Sequence, residues 1–217
     1  MPDLGPLRAD QFGRVSTPSV EGLRIHAVIP SYRDCPDLPR CLHYLRIAED
    51  YARRYEPTWT ISHEVIYGER VGDGTTWSAP RDREIARCRD LGLHAGADRA
   101  DWALMMDADL LVPENLHVIL FNLRPDVGAK TIRVWNAEVG TYRFVDKDFH
   151  GQYIDQIGSD RFVWRASELL AVRADVVNRL PRPFYRPENL NEDYELCDRL
   201  RDLGVRIYCA PVDGIAT

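Results

Sequence analysis

The residues with the most chemistry to offer are Asp107-Ala108-Asp109. They follow Trp102-Ala103-Leu104-Met105-Met106, an unbroken apolar run of the kind that forms a strand buried on both faces of a parallel sheet. Side chains at i and i+2 of an extended segment point to one side. Asp107 and Asp109 are therefore expected to face one cleft, at the carboxyl end of a strand, where open α/β sheets bind ligands. Two carboxylates that close repel unless a proton or a cation lies between them. A divalent cation with hard oxygen ligands, shared with a phosphate, resolves the repulsion. Asp-x-Asp also occurs in plain surface turns, and its place behind a buried strand is what favours the metal.

A second acidic stretch is Asn191-Glu192-Asp193-Tyr194-Glu195. Leu196, Leu200 and Leu203 mark the inward face of the helix that follows, and Asp193 precedes them by three, seven and ten positions, on that same face. An inward acid in a first turn suits a general base. A helix N-terminus lowers a carboxyl pKa, so desolvation by substrate would have to offset it. Helix capping and dipole compensation by Asn191, Glu192 and Asp193 is the alternative, and it explains Glu192 well and Asp193 less well. Arg89, in Ala86-Arg87-Cys88-Arg89-Asp90-Leu91-Gly92-Leu93, lies one turn beyond Ile85 at the edge of a buried stripe. There it either neutralises a diphosphate through bidentate hydrogen bonds or snorkels along the surface. Pro30-Ser31-Tyr32 offers backbone groups and an aromatic ring to a base or ribose, and Glu69 stands at the carboxyl edge of the second strand.

These side chains need a scaffold. The first strand is expected over Leu23–Ile29, stopped by Pro30, and the first helix starts near Pro39 with Leu38, Leu42, Leu45, Ala52 and Tyr55 as its stripe. A strand over Ile61–Tyr67, a loop from Gly68 to Pro80 and a helix over Arg81–Ala97 precede the buried strand. Strand–helix–strand–helix–strand predicts a doubly wound parallel sheet. Further on, a short helix opens at Pro113-Glu114-Asn115 and runs through Leu123, and strands are expected at Ile132–Val139 and Tyr142–Val145. Residues 146–161 read as a mobile loop. A buried strand follows at Leu169–Val172, then a helix over Glu192–Leu203 stopped by Gly204, and a last strand over Val205–Ala210.

Composition narrows the partners. With 217 residues the chain suffices for one domain with a sizeable core. A net charge of -6 disfavours wholesale binding to nucleic acid or an anionic membrane. No apolar run approaches the ~18 residues of a membrane span, and the start, Met-Pro-Asp-Leu-Gly-Pro, has no apolar signal core. Five cysteines, an odd number with no Cys-x-x-Cys pair, point to reduced thiols and a cytoplasmic setting. Lysine occurs only at Lys130 and Lys147; the arginine excess suits phosphate recognition, but a biased genome gives the same skew and is the preferred reading.

From about Ile25 to Ala210, these pieces in this order resemble the GT-A fold glycosyltransferases, especially the family-two nucleotide-sugar transferases. Val28-Ile29-Pro30-Ser31-Tyr32-Arg33 is similar to the family's opening strand and loop. Glu64-Val65-Ile66-Tyr67-Gly68-Glu69 is similar to the strand ending in the base-binding acid, with Glu in place of the usual Asp. Arg89-Asp90-Leu91-Gly92-Leu93 resembles the Arg-Asn-x-Gly element, Asp107-Ala108-Asp109 the metal-binding motif, and Glu192-Asp193 the later acidic pair. The resemblance implies an α/β, Rossmann-like, mostly parallel sheet flanked by helices in a single GT-A domain. Residues 1–22 would be a tail, 23–112 a nucleotide-binding half and 113–217 an acceptor half. It implies Mn2+ or Mg2+ held by Asp109 and Asp107, a UDP- or GDP-linked sugar contacting Pro30, Ser31, Tyr32, Glu69, Arg89, Asp107 and Ala108, and Asp193 as catalytic base with inversion.

There are departures. Glu69-Arg70-Val71-Gly72 replaces the usual Asp-Asp-Gly-Ser, and the histidine ligand that many members carry after the last strand would lie beyond Thr217. The Gln-x-x-Arg-Trp motif of processive synthases is absent. Trp135, Tyr142, Tyr153 and Trp164 either shape an acceptor site or pack the core. Two other readings stay open. One is a degenerate GT-A domain that binds sugar nucleotide or glycan without turnover. The other is a haloacid dehalogenase-type phosphatase, whose Asp-x-Asp normally lies near the N-terminus with a lysine later. The Gly-x-Gly-x-x-Gly of a dinucleotide-binding dehydrogenase is missing.

Overall fold

The alternating apolar runs of the first half fold as alternating strands and helices. The computed structural model describes residues 21–71, 78–136, 141–143, 161–163, 166, 168–184 and 192–216. The predicted tail up to residue 20, and residues 146–160 of the predicted loop, lie outside them.

The order is β1 (Arg24–Tyr32), α1 (Leu38–Tyr55), β2 (Thr60–Gly68), α2 (Ala79–Arg99), β3 (Trp102–Met106), β4 (Leu110–Leu111), α3 (Leu116–Asn122), β5 (Ala129–Asn136), β6 (Thr141–Arg143), β7 (Arg161–Val163), β8 (Leu169–Arg173), α4 (Ala174–Val177), α5 (Glu192–Asp202) and β9 (Ile207–Ala216). They form one sheet in the order β2-β1-β3-β8-β5-β9-β4, with β6 added to β5 and β7 to β9. β1 pairs in parallel with β2 and β3, and β5 in parallel with β9. β8 is wedged antiparallel between β3 and β5. The frame is mixed α/β and mostly parallel, as its strand–helix alternation predicts.

β3 shows how the layers form. Trp102, Leu104 and Met106 join the core under α1 and α3, whereas Ala103 and Met105 join the core under α2, α4 and α5. All five are buried, so period-two alternation serves two apolar faces and the sequence shows no polar side. Helix α2 lies unusually close to the sheet: a Cβ on Gly92 would stand 2.1 Å from Val28 Cγ1, and one on Gly96 2.9 Å from Ala103 Cβ.

Several expectations are corrected. β1 does not stop at Pro30. It runs to Tyr32, because its pairing with β3 ends at Val28 and only β2 continues alongside; a proline is tolerated where one side of a strand makes no ladder. The buried stripe of α1 is Leu38, Cys41, Leu45, Ala48 and Ala52; Tyr55 is 62% exposed and stacks on Tyr51. β9 extends beyond Ala210 to Ala216. Its register with β5 jumps between Ile132↔Ala210 and Arg133↔Asp213, which absorbs Pro211 in a bulge. The stop of α5 is as expected, with Gly204 at φ +74°.

Candidate active site

The parallel strands deliver their carboxyl ends to one edge. β1 ends at Tyr32, opposite Gly68 of β2, and β3 ends at Met106. Asp107 and Asp109 follow at that edge, but not in the extended geometry expected from their spacing. Leu110 N donates to Asp107 O at 3.3 Å, closing a turn that presents the two carboxylates. The backbone of Asp107 is held from other elements too. Its N–H donates to Glu168 O at 2.8 Å, just before β8, and its carbonyl accepts from the Cys41 thiol of α1 at 3.6 Å. The Cys41 pKa is pushed up to about 12, by burial first and then by the charges of Asp109 and Asp107. Both aspartates therefore act on one spot beneath the turn.

Arg89 joins the two acidic motifs. Helix α2 carries it into the core, where it is 4% exposed. Its guanidinium donates to Asp107 Oδ1 at 2.5 Å and also to Asp193 Oδ1. A buried guanidinium is tolerable only when paired, and two carboxylates meet its planar donor set. Asp193, in the first turn of α5, shows 16% of its side chain to solvent and Asp107 29%. The inward placement of Asp193 agrees with its phase relative to Leu196 and Leu200, both fully buried. Residues 89, 107 and 193 thus meet from three elements.

The other predicted residues line the same edge farther along. Ser31 and Tyr32 occupy the last two positions of β1, with Pro30 before them. Arg70 stands 5.4 Å over the Tyr32 ring, and burial is the first cause that raises the Tyr32 pKa. Glu69 is exposed, one residue past β2. Its N–H donates to Glu84 Oε1 at 2.8 Å, and Arg87 holds that carboxylate at 2.6 and 2.8 Å. Arg87 is also the main cause that lowers the Glu84 pKa. Glu84 and Cys41 escaped sequence reasoning. The i, i+3 spacing of Glu84 and Arg87 is a signal for the first; nothing local marks a buried thiol as the support of a turn. Trp135 is 37% exposed near the end of β5, whereas Tyr153 and Trp164 lie outside the described residues.

Among the described residues no group of three or more His, Cys, Asp and Glu converges as a closed metal site. Two partly buried carboxylates suit a cation that keeps waters and takes phosphate oxygens, which is the habit of Mg2+ and its relatives. The donor set of Asp107 and Asp109 therefore fits Mg2+ or Mn2+.

No protein-family model matches the chain, and no curated protein matches it. Its fold does have solved counterparts. It superposes on a structure of GalNAc-T7 with UDP, GalNAc and Mn2+ at a TM-score of 0.55 and 13% identity, covering 91% of this chain and 44% of that one. It also superposes on the mannosyltransferase PcManGT from Pyrobaculum calidifontis, in complex with GDP-Man and Mn2+, at a TM-score of 0.50 and 16% identity, covering 93% of this chain and 59% of that one. The chain spans less than two thirds of the length of either. The likeness is one of fold: the architecture is the GT-A type of these glycosyltransferases.

Proposed function

We propose that this protein transfers a sugar from a UDP- or GDP-linked donor to an acceptor hydroxyl, with a divalent metal and with inversion. The observation that carries the reading is the Arg89 bridge, which puts a carboxylate of the Asp-x-Asp turn and the carboxylate of α5 in one cleft. The fold counterparts support it, since one is described with UDP and Mn2+ and the other with GDP-Man and Mn2+.

Asp109 and Asp107 would hold Mn2+ or Mg2+. When bound, the cation neutralises the charge that develops on the leaving diphosphate. Arg89, buried beside Asp107, adds a fixed positive charge at the same place, where low dielectric makes it count. Pro30, Ser31, Tyr32 and Glu69 receive the nucleoside, and Ala108 leaves room for it beside the carboxylates. Asp193 takes the proton of the acceptor hydroxyl while that oxygen bonds to the anomeric carbon. The carbon–oxygen bond to the diphosphate breaks, and the nucleoside diphosphate leaves with the electron pair. One in-line displacement inverts the anomeric centre. Five free cysteines suit a reducing compartment, and we place the protein in the cytoplasm. No helix among the described residues is long and apolar enough to cross a membrane.

The Arg89–Asp193 pair also favours a second reading, in which the base is permanently engaged and the domain binds sugar nucleotide without turnover. A thermal-shift panel of UDP, GDP and their sugars with and without Mn2+, followed by product analysis, separates the readings. We expect one nucleotide series to stabilise the protein only with Mn2+, and Asp109→Ala to remove that shift. The released or transferred sugar should have the inverted anomeric configuration. Metal-dependent binding without any transfer or hydrolysis selects the binding module. Absence of every metal-dependent shift, or release of phosphate from phosphomonoesters instead, overturns both.

A further inference from the structure

Lys130 is a charge that the cleft does not use. It lies near the start of β5, flanked by Ala171 of β8 and Tyr208 of β9, and is fully buried. Its Nζ donates to the carbonyls of Leu123 at 2.8 Å and Phe121 at 3.4 Å, at the C-terminal end of α3. It stands 4.8 Å over the Trp102 ring and 5.6 Å over that of Phe121. Carbonyls and ring faces offset part of the cost of burying an ammonium. They supply no counter-charge, and among the described residues no carboxylate lies within 4.0 Å of it. The nearest acidic influence, Asp126, is tied to Arg124 at 2.7 Å. Burial accordingly lowers the pKa of Lys130 to about 7.

In front of this group lies a cavity of about 270 Å³, bounded by Glu21, Leu23, Asp101, Trp102, Phe121, Pro125, Lys130 and Arg173. Asp101, Trp102 and Lys130 belong to the amino-terminal ends of β3 and β5, and Arg173 ends the antiparallel β8. The cavity therefore opens at the sheet edge opposite Asp107, separated from it by the five residues of β3, roughly 17 Å of strand. Its rim acid Asp101 is neutralised by Arg24 at 2.8 Å, and Arg173 is tied to Asp175 at 2.5 Å. Glu21 adds a carboxylate at the exposed rim, and Lys130 is the fully buried charged group of the lining, set beside Leu23, Trp102, Phe121 and Pro125. Few polar groups among apolar walls is the composition of a small-molecule site.

We propose that this cavity binds a small organic acid, its carboxylate on Lys130 and its ring or chain against Trp102 and Phe121. The site is independent of the transferase reading. Lys130 and Lys147 are the only lysines, so amine chemistry reads the site cleanly. The probe is benzoate, with benzyl alcohol and inorganic phosphate as controls, on the intact chain. We expect benzoate to raise the thermal midpoint saturably and to slow reductive methylation of Lys130 at least fivefold, by peptide mass spectrometry, with Lys147 unchanged. Lys130→Met should fold and lose the benzoate shift; if it does not fold, protection of the wild-type lysine decides. Absence of a saturable shift, a Lys130 that never methylates, or equal protection by benzyl alcohol or by phosphate each overturns the proposal.

Discussion

A buried arginine between two aspartates sets the electrostatic state of the cleft before any ligand arrives. Removing Arg89 takes away the guanidinium that bridges Asp107 and Asp193. We expect Arg89→Met to cost about 3–5 kcal/mol in urea unfolding. Mn2+ should restore part of it, since a cation near Asp107 takes over the arginine's role. No rescue by Mn2+ would show that the aspartates do not share a cation site. Asp193→Asn keeps the shape of the side chain and removes its capacity to take a proton. Transfer should fall at least about 100-fold, while Mn2+-dependent nucleotide affinity changes little. An Asp193→Asn enzyme at full rate rules this residue out as the base. His117 offers a test away from the cleft. It is fully buried against Phe121, and burial lowers its pKa to about 4. Between pH 4 and 6.5 the unfolded chain binds a proton that the folded chain refuses, so stability rises with pH across that window, by about 3 kcal/mol at most. Equilibrium unfolding at pH 4.5 and 7 should show a smaller difference in His117→Phe than in wild type.

Elements add what single residues cannot. α2 approaches the sheet closely because Gly92 and Gly96 present no side chains to Val28 and Ala103, and that approach carries Arg89 into contact with Asp107. Gly92→Ala puts a carbon 2.1 Å from Val28 Cγ1, next to strand backbone that has little room to move. We expect a loss of about 1–3 kcal/mol, recovered in part by Val28→Ala, with weaker nucleotide binding because Arg89 shifts with its helix. Unchanged stability in Gly92→Ala would mean the helix–sheet distance is softer than argued. β1 teaches a related lesson about proline. Pro30 reads as a stop in isolation, yet the strand passes through it because β3 has already ended alongside.

At the scale of the molecule, the site exists because distant segments share one sheet. Arg89 and Asp193 are 104 positions apart, and β9 closes the second half by pairing with β5, β7 and β4. A chain cut after Leu203 loses β9 with Ile207, Tyr208, Cys209, Ala210, Val212 and Ala216, all buried. It should show no cooperative urea transition; a sharp one would make β9 dispensable. The alternation of strands and helices, the buried run before Asp107 and the inward phase of Asp193 were readable from residue order, because each depends on local periodicity. The insertion of β8 against its neighbours, the turn that replaces an extended Asp-x-Asp and the bulge that passes Pro211 were not. Those depend on which strand lies alongside, and pairing partners leave no local mark. Residue types and spacing by themselves determined which side chains could meet an anion, a metal or a proton, since that is chemistry. Only the folded sheet decided that Arg89, Asp107 and Asp193 meet, because contacts across so many residues arise from packing whole layers together.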